Sequence, residues 1–429
     1  MVKIPIFGGA NFLEYFLMKN YFLFLLLCCC VFPVSSQEIS IGKRDVVHSE
    51  ILHQDREFSV YLPPSYHSSV NQEYPVLYIL DGDYNFQYVA GLLELQGGIS
   101  ELIPEMILVA ISGKGSIEYR RNCKPKIDGV EDSGNAEEVV GFIEKELIPY
   151  VNKNYKTNDY KILGGHSVGG IFVIDTAINH PNLFNHYIAI SPALWWADNA
   201  LEDVMENTWG KTTSTTASLY VSLANEKGMG VNEFLEKVPE TIRKNNIKFR
   251  HFPDEVHNSV GAPTYKWALG DIFKTWYVSS LYFISAEALQ NHYAKVHKEY
   301  GTIFNIPPSV VGYTNYVLKK RNKEWEKTAA AFRELSPNAY VLFLNAQAVD
   351  LMEKKKYEEA EQLLREALYV NPNNFESFDA LSKLKKEQGN LSEAASDIGK
   401  AIALARKQNA RQWQLNELLE TKEGINKNP

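Results

Sequence analysis

Cysteine is nearly missing from the body of this 429-residue chain. There are four in all, and Cys28, Cys29 and Cys30 crowd into the first 36 residues, leaving only Cys123 downstream. A single thiol excludes an internal disulfide and a thiolate metal site, so stability has to come from packing. Blocks of basic residues are also missing, and the formal net charge is −8. That excludes the electrostatic footprint nucleic acid demands. Long hydrophobic runs are absent too. The longest, Tyr21–Phe32, is short of the roughly 20 residues a membrane span needs. Ser112-Gly113-Lys114-Gly115-Ser116 lacks the spacing of a phosphate loop, and no His, Asp or Glu grouping has metal-ligand spacing. The expectation is therefore no cofactor and no metal. What remains is ordinary globular material, 45% hydrophobic and 22% charged, which excludes whole-chain disorder.

The first 36 residues read as a leader. Met18-Lys19-Asn20 precedes the apolar run, and Val34-Ser35-Ser36 offers small residues for cleavage before Gln37. This is the layout of an export signal, with Met18 a plausible start. It predicts a secreted or periplasmic protein with no stable membrane span after cleavage. Bulky Leu27 before Cys28 argues against a lipoprotein anchor.

From Gln37 to about residue 285 the pattern is α/β. Pro75–Leu80 and Met106–Ile111 are continuous apolar runs, as expected of strands buried on both faces. Further strands are expected at 57–62, 160–163, 187–190, 219–223 and 247–252, with an amphipathic helix over 137–150. Strands alternating with helices imply a mostly parallel sheet, whose ligands sit beyond the carboxyl ends of the strands. Residues 286–336 read as a helical linker. Over 337–425 an internal repeat of period 34 aligns Ala360 with Ala394 and Ala367 with Ala401. With Tyr357-Glu358-Glu359-Ala360 and Asn371-Pro372-Asn373, this region resembles tetratricopeptide repeats. Two repeats are few for an independent solenoid, so docking on the α/β domain or on a protein partner is expected.

The chemistry centres on Gly164-Gly165-His166-Ser167-Val168-Gly169-Gly170. It contains G-x-S-x-G between an apparent strand and an apparent helix, the setting of a nucleophile elbow. A serine there needs a base. Of ten histidines, His257 lies in the loop after the last strand, where a base can reach the serine, and His251 in that strand is the alternative. His166 stands beside the serine and is set aside as badly placed to act on it. The acid is expected after the 219–223 strand, at Glu226, with Asp254 and Glu255 as rivals. Oxyanion donors are expected from the Val168 amide and from the Asp81–Phe86 loop, where Gly82 allows close approach and Asp83 supplies the N–H. Arg120, Arg121 and Lys124 are candidate grips for an anionic substrate, the alternative being a solvated basic loop. Trp195 and Trp196 either stack an aromatic or sugar group or plug the core.

The stretches Leu77–Phe86 (LYILDGDYNF), Glu144–Thr157 (EKELIPYVNKNYKT), GGHSVGG, Ile190–Trp196 (ISPALWW) and Glu255–Val260 (EVHNSV) occur in that order. Together they resemble the esterase D/enterochelin-esterase group of α/β-hydrolases, over residues 45–280. The resemblance implies an α/β-hydrolase fold and hydrolysis of carboxylic esters through an acyl-enzyme, with Ser167 as nucleophile and His257 as base. Its substrates would be small-molecule esters: siderophore lactones, feruloyl sugars or simple thioesters. Some siderophore esterases of this group are described as using a Ser–His dyad, so Glu226 stays one of two options. Where the group often carries an Arg-Arg-Asp motif, this chain has Arg120-Arg121-Asn122. The competing reading is a non-catalytic scaffold whose helical repeats recruit a partner.

Overall fold

A computed structural model describes residues 40–131, 133–211, 215–278, 285–318 and 324–427. The leader and its three cysteines lie outside the described residues.

Eight strands form one sheet in the order β1-β2-β4-β3-β5-β6-β7-β8. They are β1 (Lys43–Ser49), β2 (Gln54–Tyr61), β3 (Tyr74–Ile79), β4 (Ile107–Ile111), β5 (Thr157–His166), β6 (His186–Ile190), β7 (Leu219–Ala224) and β8 (Ile247–Phe252). β1 and β2 run antiparallel, and β2 meets β4 antiparallel; every pairing from β4 across to β8 is parallel. The apolar runs seen in the sequence are the central strands. In β3, Val76 and Tyr78 enter the core on one face, and Leu77 and Ile79 enter the core on the other. β1 was not anticipated. It is a polar edge strand, mostly exposed, held by its hairpin pairing to β2, and so carries no hydrophobic signature.

Helices cover both faces. On one lie Ala136–Phe142 with its continuation through a π turn to Asn154, then Val168–Asn179 and Ala200–Thr208. On the other lie Gly82–Leu93 and Gly261–Ile272. That second face does not end with the α/β segment. Leu289, Tyr293, Val296, Phe304, Phe332 and Phe343 belong to the same buried cluster as Leu77, Ile79 and Leu108. The segment expected as a linker therefore packs as core, in helices Ala286–Tyr300, Pro308–Leu318 and Trp325–Leu335. Spacing of apolar residues can show a helix, but not what its apolar stripe is buried against.

Beyond it, Pro337–Glu353 pairs with Tyr357–Val370, and Phe375–Glu387 with Leu391–Lys407, before a last helix Gln412–Asn426. The aligned alanines Ala360, Ala394, Ala367 and Ala401 are all fully buried. Polar contacts seat these helices on the α/β part. Val70 N–H donates to Asn338 Oδ1 at 2.9 Å and Asn338 Nδ2 donates to the Val70 carbonyl at 3.0 Å. Asn371 Nδ2 donates to the Ser68 carbonyl at 2.9 Å, and Arg411 reaches Glu94 at 2.6 Å. Among the described residues no helix is long and apolar enough to cross a membrane.

Candidate active site

β5 ends at His166 and the helix Val168–Asn179 begins one residue after Ser167. Ser167 therefore carries the whole reversal, at φ 56° and ψ −113°. A non-glycine residue there costs about 1–3 kcal/mol and persists only where the surroundings impose it. They do so here: Ser167 N–H donates to the Ile190 carbonyl at 2.9 Å, and its own carbonyl accepts from Gly170 N–H at 3.0 Å and Ala193 N–H at 3.1 Å. The turn is also too tight for side chains. A Cβ on Gly165 would lie 2.4 Å from the Gly169 carbonyl oxygen.

Two loops approach this turn from the carboxyl ends of β7 and β8, beyond β6. Glu226 follows β7, His257 follows β8, and Asn225 N–H donates to the Glu255 carbonyl at 2.8 Å, clipping the loops together. The result is a 2.8 Å hydrogen bond between His257 Nδ1 and Glu226 Oε2. A carboxylate can only accept, so Nδ1 carries the proton and the Nε2 lone pair is left to act as a base. The rivals sit elsewhere. Glu255 accepts from Ser259 Oγ, Asp254 is exposed, and His251 is exposed on β8.

Ser167, Val168, Glu226 and His257 line one cavity of about 330 Å³. Arg120, Trp195 and Trp196 line it too, whereas Arg121, Gly82 and Asp83 are not among its lining residues. The tryptophan pair divides. Trp196 is buried, with the Lys124 ammonium 5.6 Å from its ring centre, and Trp195 is 55% exposed. Lys124, Ile171, Ala193 and Met229 also line the cavity. The apolar three bore no readable signal, because a residue's place on a cavity wall is set by folding and not by spacing. The wall thus offers cations and an aromatic face, and its one carboxylate is engaged with His257.

The expected oxyanion loop is the start of a helix. Gly82 and Asp83 open Gly82–Leu93, directly after β3, which pairs with β5. The contacts of this helix start are with β4 and the loop after it: a Cβ on Gly82 would lie 2.5 Å from the Ala110 carbonyl oxygen. The Asp83 carboxylate accepts from Ser112 Oγ at 2.5 Å and Gly113 N–H at 3.1 Å. Among the described residues no three His, Cys, Asp or Glu side chains gather as a metal site requires.

The sheet order, the strained serine after β5 and the histidine after β8 define an α/β-hydrolase. Residues 49–255 match the sequence model of a family described as "putative esterase". The ferri-bacillibactin esterase BesA of Bacillus subtilis is 32% identical over 142 residues, which is 29% of this chain and 49% of that protein. The uncharacterized protein YbbA of the same organism is 27% identical over 180 residues, covering 41% of this chain and 70% of its own. An IroE-like serine hydrolase from Shewanella oneidensis superposes with a TM-score of 0.56 at 22% identity, over 68% of this chain and 97% of that one. The chain spans about half the length of the first of these relatives. The sequence likeness is thus to an esterase model over residues 49–255, and the structural likeness is one of fold.

Proposed function

We propose that this protein is an exported serine esterase that cleaves carboxylic esters of small molecules through an acyl-enzyme. Ser167 Oγ attacks the ester carbonyl while His257 Nε2 takes its proton. The Val168 amide, in the same cavity as Ser167, meets the developing oxyanion. As the alcohol leaves, His257 returns the proton to it. Water then repeats the sequence on the acyl-serine, with His257 again as base. Glu226 holds the ring in the tautomer that leaves Nε2 free and balances the imidazolium. The observation that carries this reading is the 2.8 Å His257–Glu226 bond in the same cavity as the strained serine.

The substrate class we favour is a siderophore-type ester. BesA is named for such a substrate, and the cavity wall here carries Arg120, Lys124 and Trp195, a setting for an anionic, aromatic acyl group. Feruloyl sugar esters are the second class. Export rests on the Met18–Ser36 leader, and a mature N-terminus at Gln37 checks it. The C-terminal helix pairs, with Ala360, Ala367, Ala394 and Ala401 buried at their repeat spacing, support the tetratricopeptide reading.

The direct test is Ser167→Ala. The variant is expected to lose hydrolysis of aryl esters by at least about 10³-fold, and all labelling by a fluorophosphonate probe. Full labelling in the variant would remove Ser167 from the mechanism.

A further inference from the structure

His166 does not line the cavity, but it touches a residue that does. Its ring packs on that of His257, with centres 4.5 Å apart and planes 39° from parallel. It is also hydrogen-bonded to the His257 backbone, while its Nε2 is buried with no partner. One ring nitrogen thus has no polar task, and the ring's evident contact is through its face.

That contact supplies something the Glu226 bond cannot. A hydrogen bond at Nδ1 restrains an imidazole at one edge, and its angular tolerance leaves the ring room to rock about the Cβ–Cγ bond. Among the described residues no hydrogen bond from Ser167 Oγ holds the opposite side of the ring. A flat group against the ring face removes the remaining freedom, and aromatic pairs at this separation are favourable. Resting on the esterase reading, we propose that His166 is a positioning residue, whose ring face sets the plane of the His257 imidazole so that Nε2 stays turned to Ser167.

The electrostatics fit this role. The groups facing the two rings are Glu226 from the loop after β7 and, across the cavity, Arg120 and Lys124. Burial first, and then the neighbouring His257, push the His166 pKa down to about 4. At neutral pH it is uncharged, so the imidazolium formed on His257 during the reaction lies against a neutral ring and not a second cation.

Three variants of the full chain separate the ring face from the hydrogen bond. His166→Phe keeps a flat ring and loses the bond. His166→Asn keeps a donor and loses the ring, and His166→Leu fills the space with neither. Each is compared with wild type for kcat and KM on a p-nitrophenyl ester, for the rate of fluorophosphonate labelling of Ser167, and for thermal midpoint. Misplacing a reacting group by about 1 Å costs about 100-fold. Asn and Leu are therefore expected to lower kcat and labelling rate about 10- to 100-fold, with KM within about threefold. Phe is expected to stay within about fivefold of wild type. The proposal is overturned if Asn or Leu turns over at the wild-type rate, or if Phe is as slow as they are. A slow variant that is also unfolded is judged on the remaining pair. Hydrolysis and labelling that survive Ser167→Ala would show instead that the esterase reading is wrong, and this proposal would fall with it.

Discussion

Gly165 and Gly399 are the same residue in two regions built on opposite terms. At Gly165 an added methyl would meet the Gly169 carbonyl at 2.4 Å, inside a turn whose serine sits at φ 56°. At Gly399, midway along Leu391–Lys407, it would meet nothing within 4 Å. The elbow accepts local strain to hold a hydroxyl in the open, and backbone hydrogen bonds from β6 and the loop after it enforce that strain. The paired helices contain no such demand. Their buried positions mix small residues such as Ala360 and Ala394 with large ones such as Leu364 and Ile398, all on regular helices. Where the fold must present chemistry, side-chain identity and backbone shape are tied together; where it only packs, they are nearly independent.

The sharpest way to press this contrast is a change that alters chemistry and leaves shape alone. Glu226→Gln keeps the length of the side chain but can present an N–H to Nδ1, which favours the wrong tautomer of His257. A drop in kcat of roughly 10²- to 10⁴-fold is expected, with thermal stability nearly unchanged. A variant within threefold of wild type would mean that Ser167 and His257 work as a dyad. In that case the 2.8 Å bond to Glu226 holds the loops together and does not drive the base.

The same contrast accounts for what the sequence disclosed. The elbow was legible because its glycines are demanded by local contacts, and β3 and β4 because strands buried on both faces must be continuously apolar. The sequence places Glu226 and His257 in the loops after β7 and β8, and in the structure their side chains meet at 2.8 Å. The repeat spacing was legible because buried helix crossings require small residues at fixed intervals. Features that depend on non-local pairing were hidden. β1 takes its structure from β2, not from its own KRDVVHS composition. The helix starting at Gly82 looked like a loop because Asp81-Gly82-Asp83 carries turn chemistry, and that chemistry here starts a helix after a left-handed Asp81. The 286–336 segment looked like a linker because nothing in its spacing names the sheet face that it covers. His166 was set aside because adjacency in sequence says where a side chain cannot act, and only the fold shows which ring it touches.

The remaining prediction applies one substitution to both regions. Gly165→Ala puts a methyl group against the Gly169 backbone, where no rotamer change gives relief, so the turn itself has to move. A loss of about 3 kcal/mol is expected, in the upper range for overpacked sites, and esterase turnover should fall with it as Ser167 shifts. Gly399→Ala has the opposite sign. The position is exposed and helical, so alanine there lowers the entropy of the unfolded chain at no steric cost, and a gain of about 0.5–1 kcal/mol is expected. Urea denaturation of the full chain measures both changes, and turnover of a p-nitrophenyl ester should be unaffected by the second. The helix of Gly399 packs in its own buried cluster with Phe375 and Leu418, but Arg411–Glu94 and Asn371–Ser68 tie this end to the α/β part, so the gain at Gly399 should appear in the unfolding of the whole protein and not in a separate transition. Two resolved transitions, with only one displaced by Gly399→Ala, would show that the strained end and the packed end are energetically uncoupled despite those contacts.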